Sequence, residues 1–354
     1  MPLVGSTAWH SRRAAGARSD LAALRAQALR PARRRDFRPT PQQEAAMRQR
    51  IYQLAIATLF LAACQDSNAP MPEAESIAPG ESNAPGDPSL SNASTTPEWI
   101  YGVDDFGYLI RFRADQPDYL WQRVRITGTG GEKVVGIDFR PSAVAPANPG
   151  DIGKLYGITR TRIYEINPRN GVARNGQPLT FALRGNFFGA GFNPTVDRFR
   201  SHSHSGQNLR LNVDDGATTR DTALAYRAGD PNFGKDPAVA ATGYTNSDND
   251  PNTLTELYAI DARQDVLVEL ETPNGGQLTT VGGLRVGTST LVGFDIPGTQ
   301  SGGSRFGYAS LTSTAERDTK SGSGLYRVDL DTGRATRIGG IGGHRPLVSI
   351  AIAP

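Results

Sequence analysis

The polar side chains best suited to chemistry are concentrated between positions 189 and 212, where short apolar runs flank a polar stretch. Arg198, Arg200 and Arg210 stand out, because the planar donor fork of arginine suits carboxylates, phosphates and sugar hydroxyls. These three, with nearby Asn and Asp residues and one Asn from a later repeat, form a candidate ligand-binding set: Asn193, Asp197, Arg198, Arg200, Asn208, Arg210 and Asn246.

We predict that this segment forms two strands joined by a polar turn over 201–207. Alternate residues of a strand share a face, so Asp197 and Ser201 should point one way, and Arg198 and Arg200 the other. The alternative to a ligand site is structural, with an Arg–Asp pair and Asn side chains that satisfy blade turns and inter-blade backbone groups. The sequence favours that alternative.

The residues 202–204 (His-Ser-His) resemble half of a metal site, because both imidazoles would lie on one strand face. A structural zinc site needs more ligands. The chain has one cysteine and four histidines, and the other two are His10 and His344. An exposed polar turn is therefore the better interpretation of His202 and His204.

Two groups of oxygen ligands deserve comparison with calcium sites. The segment 248–252 (Asp-Asn-Asp-Pro-Asn) is rich in oxygen ligands but lacks EF-hand spacing, so it predicts either a Ca²⁺ loop or an Asx-rich turn. The second group has one residue near each repeat start and could converge on a central metal ion: Asp138, Asn193, Asn246 and Asp295. The equivalent positions of Asp138 and Asp295 favour a shared structural role.

The sequence gives little support for nucleophilic catalysis. The sequence has no Gly-x-Ser-x-Gly elbow, and its single cysteine has another explanation, given below. The glycines of 339–343 follow a strand pattern but lack the Lys of a P-loop. A binding role is favoured over an enzyme, and no cofactor is assigned apart from the candidate Ca²⁺.

These residues sit in a repeat that must position them. A Gly-apolar-polar motif begins at Gly136, Gly191, Gly243 and Gly293, and an equivalent strand surrounds Ser349, so the period is 50–56 residues. Each motif is followed by a strand pattern such as Leu-Tyr-x-Ile-Asp. Gly and Pro interrupt the chain throughout, and no run of ten residues keeps a helical apolar period.

The repeat predicts an all-β fold, a β-propeller of five blades. The C-terminus supplies a first strand with no partner after it, whereas 99–112 supply later strands with no first strand before them. Pairing of the two ends would close the ring and remove open strand edges. A six-bladed ring and a β-sandwich are the alternatives.

The N-terminal part resembles an export signal. Met47 opens a basic n-region, an apolar h-region and the sequence Leu-Ala-Ala-Cys ending at Cys64, which matches a bacterial lipobox. The h-region is too short for a permanent span. We therefore predict a signal peptide over 47–63, lipidation of Cys64, and an upstream extension over 1–46 that results from a wrongly chosen start.

Removal of residues 1–63 changes the charge of the chain. It takes away eleven basic and three acidic residues, which leaves 27 basic against 32 acidic residues and turns a net charge of +3 into −5. A nucleic-acid partner loses its electrostatic support. Residues 64–96 are rich in Pro, Ser, Ala and Asn, which predicts a disordered tether ahead of a domain over 97–354.

The order of motifs resembles the DUF4394 family, a bacterial domain of unassigned function. The matching pieces cover about residues 99–354 and are 136–141, 153–157, 192–198, 206–210, 244–246, 257–261, 273–275, 293–296 and 325–330. The resemblance implies secretion and a repeated β fold, and it brings no activity with it.

Together these observations predict a lipoprotein of the bacterial cell envelope, anchored to the membrane through Cys64. Gln65 rather than an acid follows the cysteine, which favours the outer membrane. The propeller would bind or scaffold an envelope glycan or a protein partner. The alternative is a metal-dependent propeller hydrolase or lactonase-like enzyme. Fold analogy does not decide between the two.

Overall fold

The computed structural model describes residues 98–141, 149–247, 253–298, 305–314 and 322–354. Cys64, the predicted signal peptide, the upstream extension and the tether all lie outside these residues, as does the predicted calcium loop 248–252. Within the described part, no helix is long and apolar enough to cross a membrane.

The described residues form five sheets, one for each predicted blade, and their strands pair antiparallel except for one short strand of blade 4. The strands, from the inside of each blade outward, run as follows. Blade 1 has β21 (Leu347–Ile352), β1 (Trp99–Asp104), β2 (Tyr108–Arg113) and β3 (Gln122–Arg125). Blade 2 has β4 (Gly136–Phe139), β5 (Leu155–Ile158), β6 (Arg162–Ile166) and β7 (Ala173–Pro178).

Blade 3 has β8 (Phe188–Asn193), β9 (Arg198–Ser203), β10 (Asn208–Leu211) and β11 (Thr218–Arg220). Blade 4 has β13 (Val239–Tyr244), β14 (Leu257–Asp261), β15 (Val266–Thr272) and β16 (Gln277–Gly283), and the short β12 (Ala225–Tyr226) adds to β16 in parallel. Blade 5 has β17 (Val292–Asp295), β18 (Phe306–Leu311), β19 (Gly324–Asp329) and β20 (Ala335–Gly340). The helical segments among the described residues are two short 3-10 turns, Pro149–Asp151 and Pro273–Gly275.

The inner strands close into a ring. β4 packs on β8, β8 on β13, β13 on β17, β17 on β21, and β21 on β4. The closing contact is the predicted one, because β21 pairs with β1 in the register Ile100↔Ile352 and Gly102↔Ile350. The propeller of five blades is therefore confirmed.

The inner strands approach each other closely because their repeat glycines carry no side chain. A Cβ atom on Gly293 would lie 2.5 Å from the backbone nitrogen of Ile350, and one on Gly136 would lie 2.6 Å from the Cβ of Ala190. Since real Cβ atoms do not come this near, the glycine of the repeat motif is a packing requirement. Apolar side chains fill the wedges between neighbouring blades, as between blades 2 and 3 around Phe192.

The prediction for the segment 197–207 was wrong in its boundaries. Asp197 lies outside the strand, in the β8–β9 turn, with a left-handed φ of 49°. β9 continues through Ser203, so the turn covers only 204–207. The polar run looked like a loop, but Ser201, His202 and Ser203 pair with β8 and are buried between blades.

Candidate functional site

A pocket of about 490 Å³ opens between blades 3 and 4. Four of the predicted ligand-binding residues line it, from the end of β8 and from β9 and β10. Blade 4 supplies the opposite wall with the end of β13 and the turn between β15 and β16. The full lining is Asn193, Val196, Arg198, Arg200, Arg210, Tyr244, Thr272, Pro273 and Asn274.

Arg200 is the fixed centre of the pocket, with 3% of its surface exposed. Its Nε donates to the hydroxyl of Tyr244 at 2.8 Å, and its Nη2 donates to Oδ1 of Asn274 at 2.7 Å. Its Nη1 donates to Asn208 at 2.6 Å and to Asp221 at 2.9 Å. Arg200 therefore joins blade 3 to blade 4 and holds the wall of the pocket in place.

Arg210 is next to Arg200 across the β9–β10 pair and is one-third exposed. Its Nε and Nη2 form a two-pronged contact with the carboxylate of Asp221, at 2.7 and 2.9 Å. Asp221 itself is 5% exposed at its side chain, so the contact is preorganised rather than a mobile surface pair. The Nη1 of Arg210 has no hydrogen-bond partner among the described residues.

Arg198 is the third arginine, at the start of β9. Its Nη1 donates to the backbone carbonyl of Asp197 at 2.8 Å, which fixes the side chain over the β8–β9 turn. Its Nε and Nη2 have no protein partner within the described ranges. Arg198 therefore offers the parallel donor pair that binds a carboxylate.

The pocket is positively charged where it meets solvent. Three guanidinium groups line it, and the nearest carboxylate, that of Asp221, is shared between two of them. Tyr244 stays neutral, because burial raises the pKa of its hydroxyl. A carboxylate or another small anion is the chemical group that such a lining would accept.

Two of the predicted residues lie at this site, but their side chains bond to protein groups rather than to a ligand. Asn208 accepts from Arg200 and donates its Nδ2 to the carbonyl of Pro273 at 2.8 Å, which joins the two blades. Asn193 lines the pocket, but its Oδ1 accepts from the backbone and hydroxyl of Thr195, as in an Asx turn.

Asp197 and Asn246 make structural contacts elsewhere. Asp197 is 1% exposed and forms an ion pair with the fully buried Arg140 of the neighbouring blade, not with Arg198. One contact, Nε of Arg140 to Oδ1 of Asp197, measures 2.9 Å, and Arg140 also donates to Asp214 at 2.8 Å. Asn246 has a φ of 54° and donates its side-chain amide to the carbonyl of Leu254.

The four residues proposed for a central metal ion each form hydrogen bonds with other protein groups. Asp138 accepts the backbone amides of Phe139 at 2.7 Å and Phe192 at 2.6 Å. Asp295 accepts those of Ile296 and Ile352 in the same way. Burial raises the pKa of both carboxyls, that of Asp295 to about 7. Across the described ranges, no group of three or more His, Cys, Asp or Glu could hold a metal ion.

His202 and His204 differ in solvent exposure. His202 is fully buried, and neither ring nitrogen has a hydrogen-bond partner in the described part of the chain. Burial, with the nearby charge of Arg200, lowers the pKa of His202 to about 3. His204 is half-buried in the 204–207 turn and packs edge-on against Phe187. The interpretation of His202 as part of an exposed turn was therefore wrong.

Sequence reasoning missed the partners that hold the arginines in place. Tyr244 and Asn274 fix Arg200 from blade 4, and Asp221 holds two arginines from the end of blade 3. The family motifs did contain Tyr244 and Asn274, in the pieces 244–246 and 273–275. Arg140 also lies in a matching piece, 136–141, but nothing there indicated its partner Asp197, 57 residues later, and no motif included Asp221.

The DUF4394 family model, described as a domain of unknown function, matches residues 108–351. The chain belongs to this family. No curated protein matches the chain.

Several solved structures have a similar chain course. A protein of unknown function from Bacteroides caccae is 8% identical, with a TM-score of 0.43, over 73% of this chain and 99% of that one. A chain of the nidogen/laminin complex is 11% identical, with a TM-score of 0.39, over 73% and 99%. The WD40 domain of Toxoplasma gondii coronin is 14% identical, with a TM-score of 0.34, over 69% and 58%. Similarity at this level carries no weight for the function of this DUF4394 protein.

Proposed function

We propose that this DUF4394 protein is a lipid-anchored protein of the bacterial cell envelope, whose propeller binds an anionic sugar through the pocket between blades 3 and 4. The observation that carries the binding role is the free donor pair of Arg198, beside the fixed Arg200 and Arg210. A carboxylate is the group that a guanidinium fork binds with two parallel hydrogen bonds.

The neighbouring groups support a sugar acid over a simple anion. Thr272 is an exposed residue that lines the pocket, and the Nδ2 of Asn274 has no hydrogen-bond partner among the described residues. These groups can bind sugar hydroxyls, which both donate and accept. At about 490 Å³, the pocket has the size of a small-molecule site.

The anchor is proposed from the sequence 61–64, Leu-Ala-Ala-Cys, after an apolar h-region. Export would place the pocket among envelope glycans, which are the proposed ligands. Expression of the full chain and of Cys64→Ser in a bacterium supplied with an alkyne-labelled fatty acid tests this anchor. Labelled, membrane-bound wild type and unlabelled Cys64→Ser support the proposal, and absence of label from both would contradict it.

Thermal melting of the purified protein tests the binding role, since a ligand of the native state raises the melting temperature by mass action. The probes are D-galacturonate and the neutral D-galactose, each at matched ionic strength. A rise with galacturonate alone supports the proposal. A rise with Ca²⁺ that EDTA removes would favour the metal-dependent hydrolase instead, and no rise with any probe would favour a protein partner.

A further inference from the structure

A second pocket of about 260 Å³ lies beside the first, also on blade 3. Its two basic residues, Arg184 and Arg220, are exposed, and neither side chain donates to a described residue. Arg220 is held by its stacking over the ring of Phe181, 3.9 Å from the centroid. The lining is Arg184, Ser205, Gly206, Gln207, Asn208, Leu209, Arg220, Asp221 and Ala223.

The two pockets share a wall. Asn208 and Asp221 line the second pocket, and the same two side chains hold Arg200 and Arg210 of the first at 2.6–2.9 Å. The arginines with free donors therefore lie on both sides of this wall. A single sugar acid occupies one pocket, whereas a chain of linked sugars can reach both.

The second pocket has neutral polar side chains beside its two arginines. Ser205 and Gln207 line it, and their hydroxyl and amide groups can bind sugar hydroxyls. An oligosaccharide that carries uronates separated by neutral hydroxyls offers an anionic group to the arginines and hydroxyls to these side chains.

We infer that the two pockets form one extended site for an acidic oligosaccharide, with one uronate at Arg198 and another at Arg184 and Arg220. This inference rests on the proposed function of the first pocket. It adds the second subsite and the polymeric nature of the ligand.

Calorimetric titration of the purified protein with galacturonate oligomers of one, two, four and six units tests the inference. We expect the affinity to rise with length and then level off once both pockets are filled. Arg220→Ala and Arg184→Ala should each lower the affinity for the longest oligomer about 10-fold and leave the monomer affinity unchanged, because only the oligomer reaches them.

Arg174, an exposed arginine on blade 2 with no described side-chain hydrogen bond, provides the matched control. Arg174→Ala should bind every oligomer like the wild type. If affinity does not depend on length, or if Arg220→Ala and Arg184→Ala bind the longest oligomer like the wild type, the extended site is wrong while monomer binding still stands. If no oligomer binds, including the monomer, the proposed function itself fails.

Discussion

The carboxylate of Asp295 accepts a hydrogen bond from the backbone amide of Ile352 at 2.7 Å, between the fifth blade and the strand that closes the ring. Asp138 makes the equivalent contact from blade 2 to the backbone of Phe192 in blade 3, at 2.6 Å. In both cases the other carboxylate oxygen accepts the amide of the following residue. The repeated acid therefore joins one inner strand to the next.

Replacement of Asp295 by Asn should destabilise the propeller. Asn keeps one acceptor oxygen where the carboxylate has two, so one buried backbone N–H loses its partner at a cost of about 1–3 kcal/mol. Chemical denaturation at pH 8 measures this loss. An Asp295→Asn variant as stable as the wild type would show that the contact to Ile352 contributes nothing.

The pH dependence of that loss follows from the raised pKa of Asp295, about 7 in the folded state because of burial. In the unfolded state the group titrates near 3.9. The folded state binds more protons between these values, so stability is highest below about pH 4 and falls as pH rises through 7. The cost of Asp295→Asn should therefore be greater at pH 5 than at pH 8, and a cost that grows with pH would contradict the assignment.

Gly293→Ala should disrupt closure of the ring. The added Cβ would lie 2.5 Å from the backbone nitrogen of Ile350, and neither inner strand can shift without moving its blade. We expect a loss of about 1–3 kcal/mol or more, as for other overpacked sites. Gly283→Ala is the control, because nothing lies within 4 Å of its Cβ, and its stability should stay within about 0.5 kcal/mol of the wild type. Equal effects of the two variants, measured in urea, would refute this packing role.

Asp197→Ala should destabilise the protein without lowering its affinity for the ligand. It would leave Arg140, which is fully buried, without its main counter-ion, and breaking a buried pair in this way costs about 3–5 kcal/mol. Denaturation measures the stability, and titration at a temperature where the variant is folded measures the affinity for galacturonate. Reduced affinity with unchanged stability would instead return Asp197 to the binding site.

His202→Leu should make the protein less sensitive to acid. The pKa of His202 is lowered to about 3 by burial, whereas the unfolded chain takes up a proton near 6.5. His202 therefore contributes stability above pH 6.5 that is lost as pH falls towards 3. Relative to the wild type, the Leu variant should gain about 1 kcal/mol between pH 8 and pH 5.5. Parallel pH profiles for the two proteins would contradict a neutral, buried His202.

The repeat made the architecture predictable. Each Gly-apolar-polar motif marks an inner strand, and the incomplete motifs at the two ends of the domain predicted the pairing of β1 with β21. Local spacing was sufficient here because every blade repeats the same strand order. The predicted strand around Arg200 was also correct, although its ends were not.

The site was predictable only in part, because inter-blade contacts are invisible to local patterns. The sequence placed Arg198, Arg200 and Arg210 together, and they do line one pocket. It did not show that Asp197 turns away to Arg140, 57 residues earlier in the chain. Nor did it show that His202 is buried, since a polar run predicts an exposed turn unless the neighbouring blade is known.

The central claim is that the pocket between blades 3 and 4 binds a sugar acid through the free donors of Arg198. Calorimetric titration of D-galacturonate into the wild type, Arg198→Ala and the Arg174→Ala control tests it most directly. We predict that Arg198→Ala lowers the affinity about 10-fold or more, the value of a charge-assisted pair, and that Arg174→Ala binds like the wild type. Wild-type affinity in Arg198→Ala, or no binding by any of the three proteins, would contradict the claim.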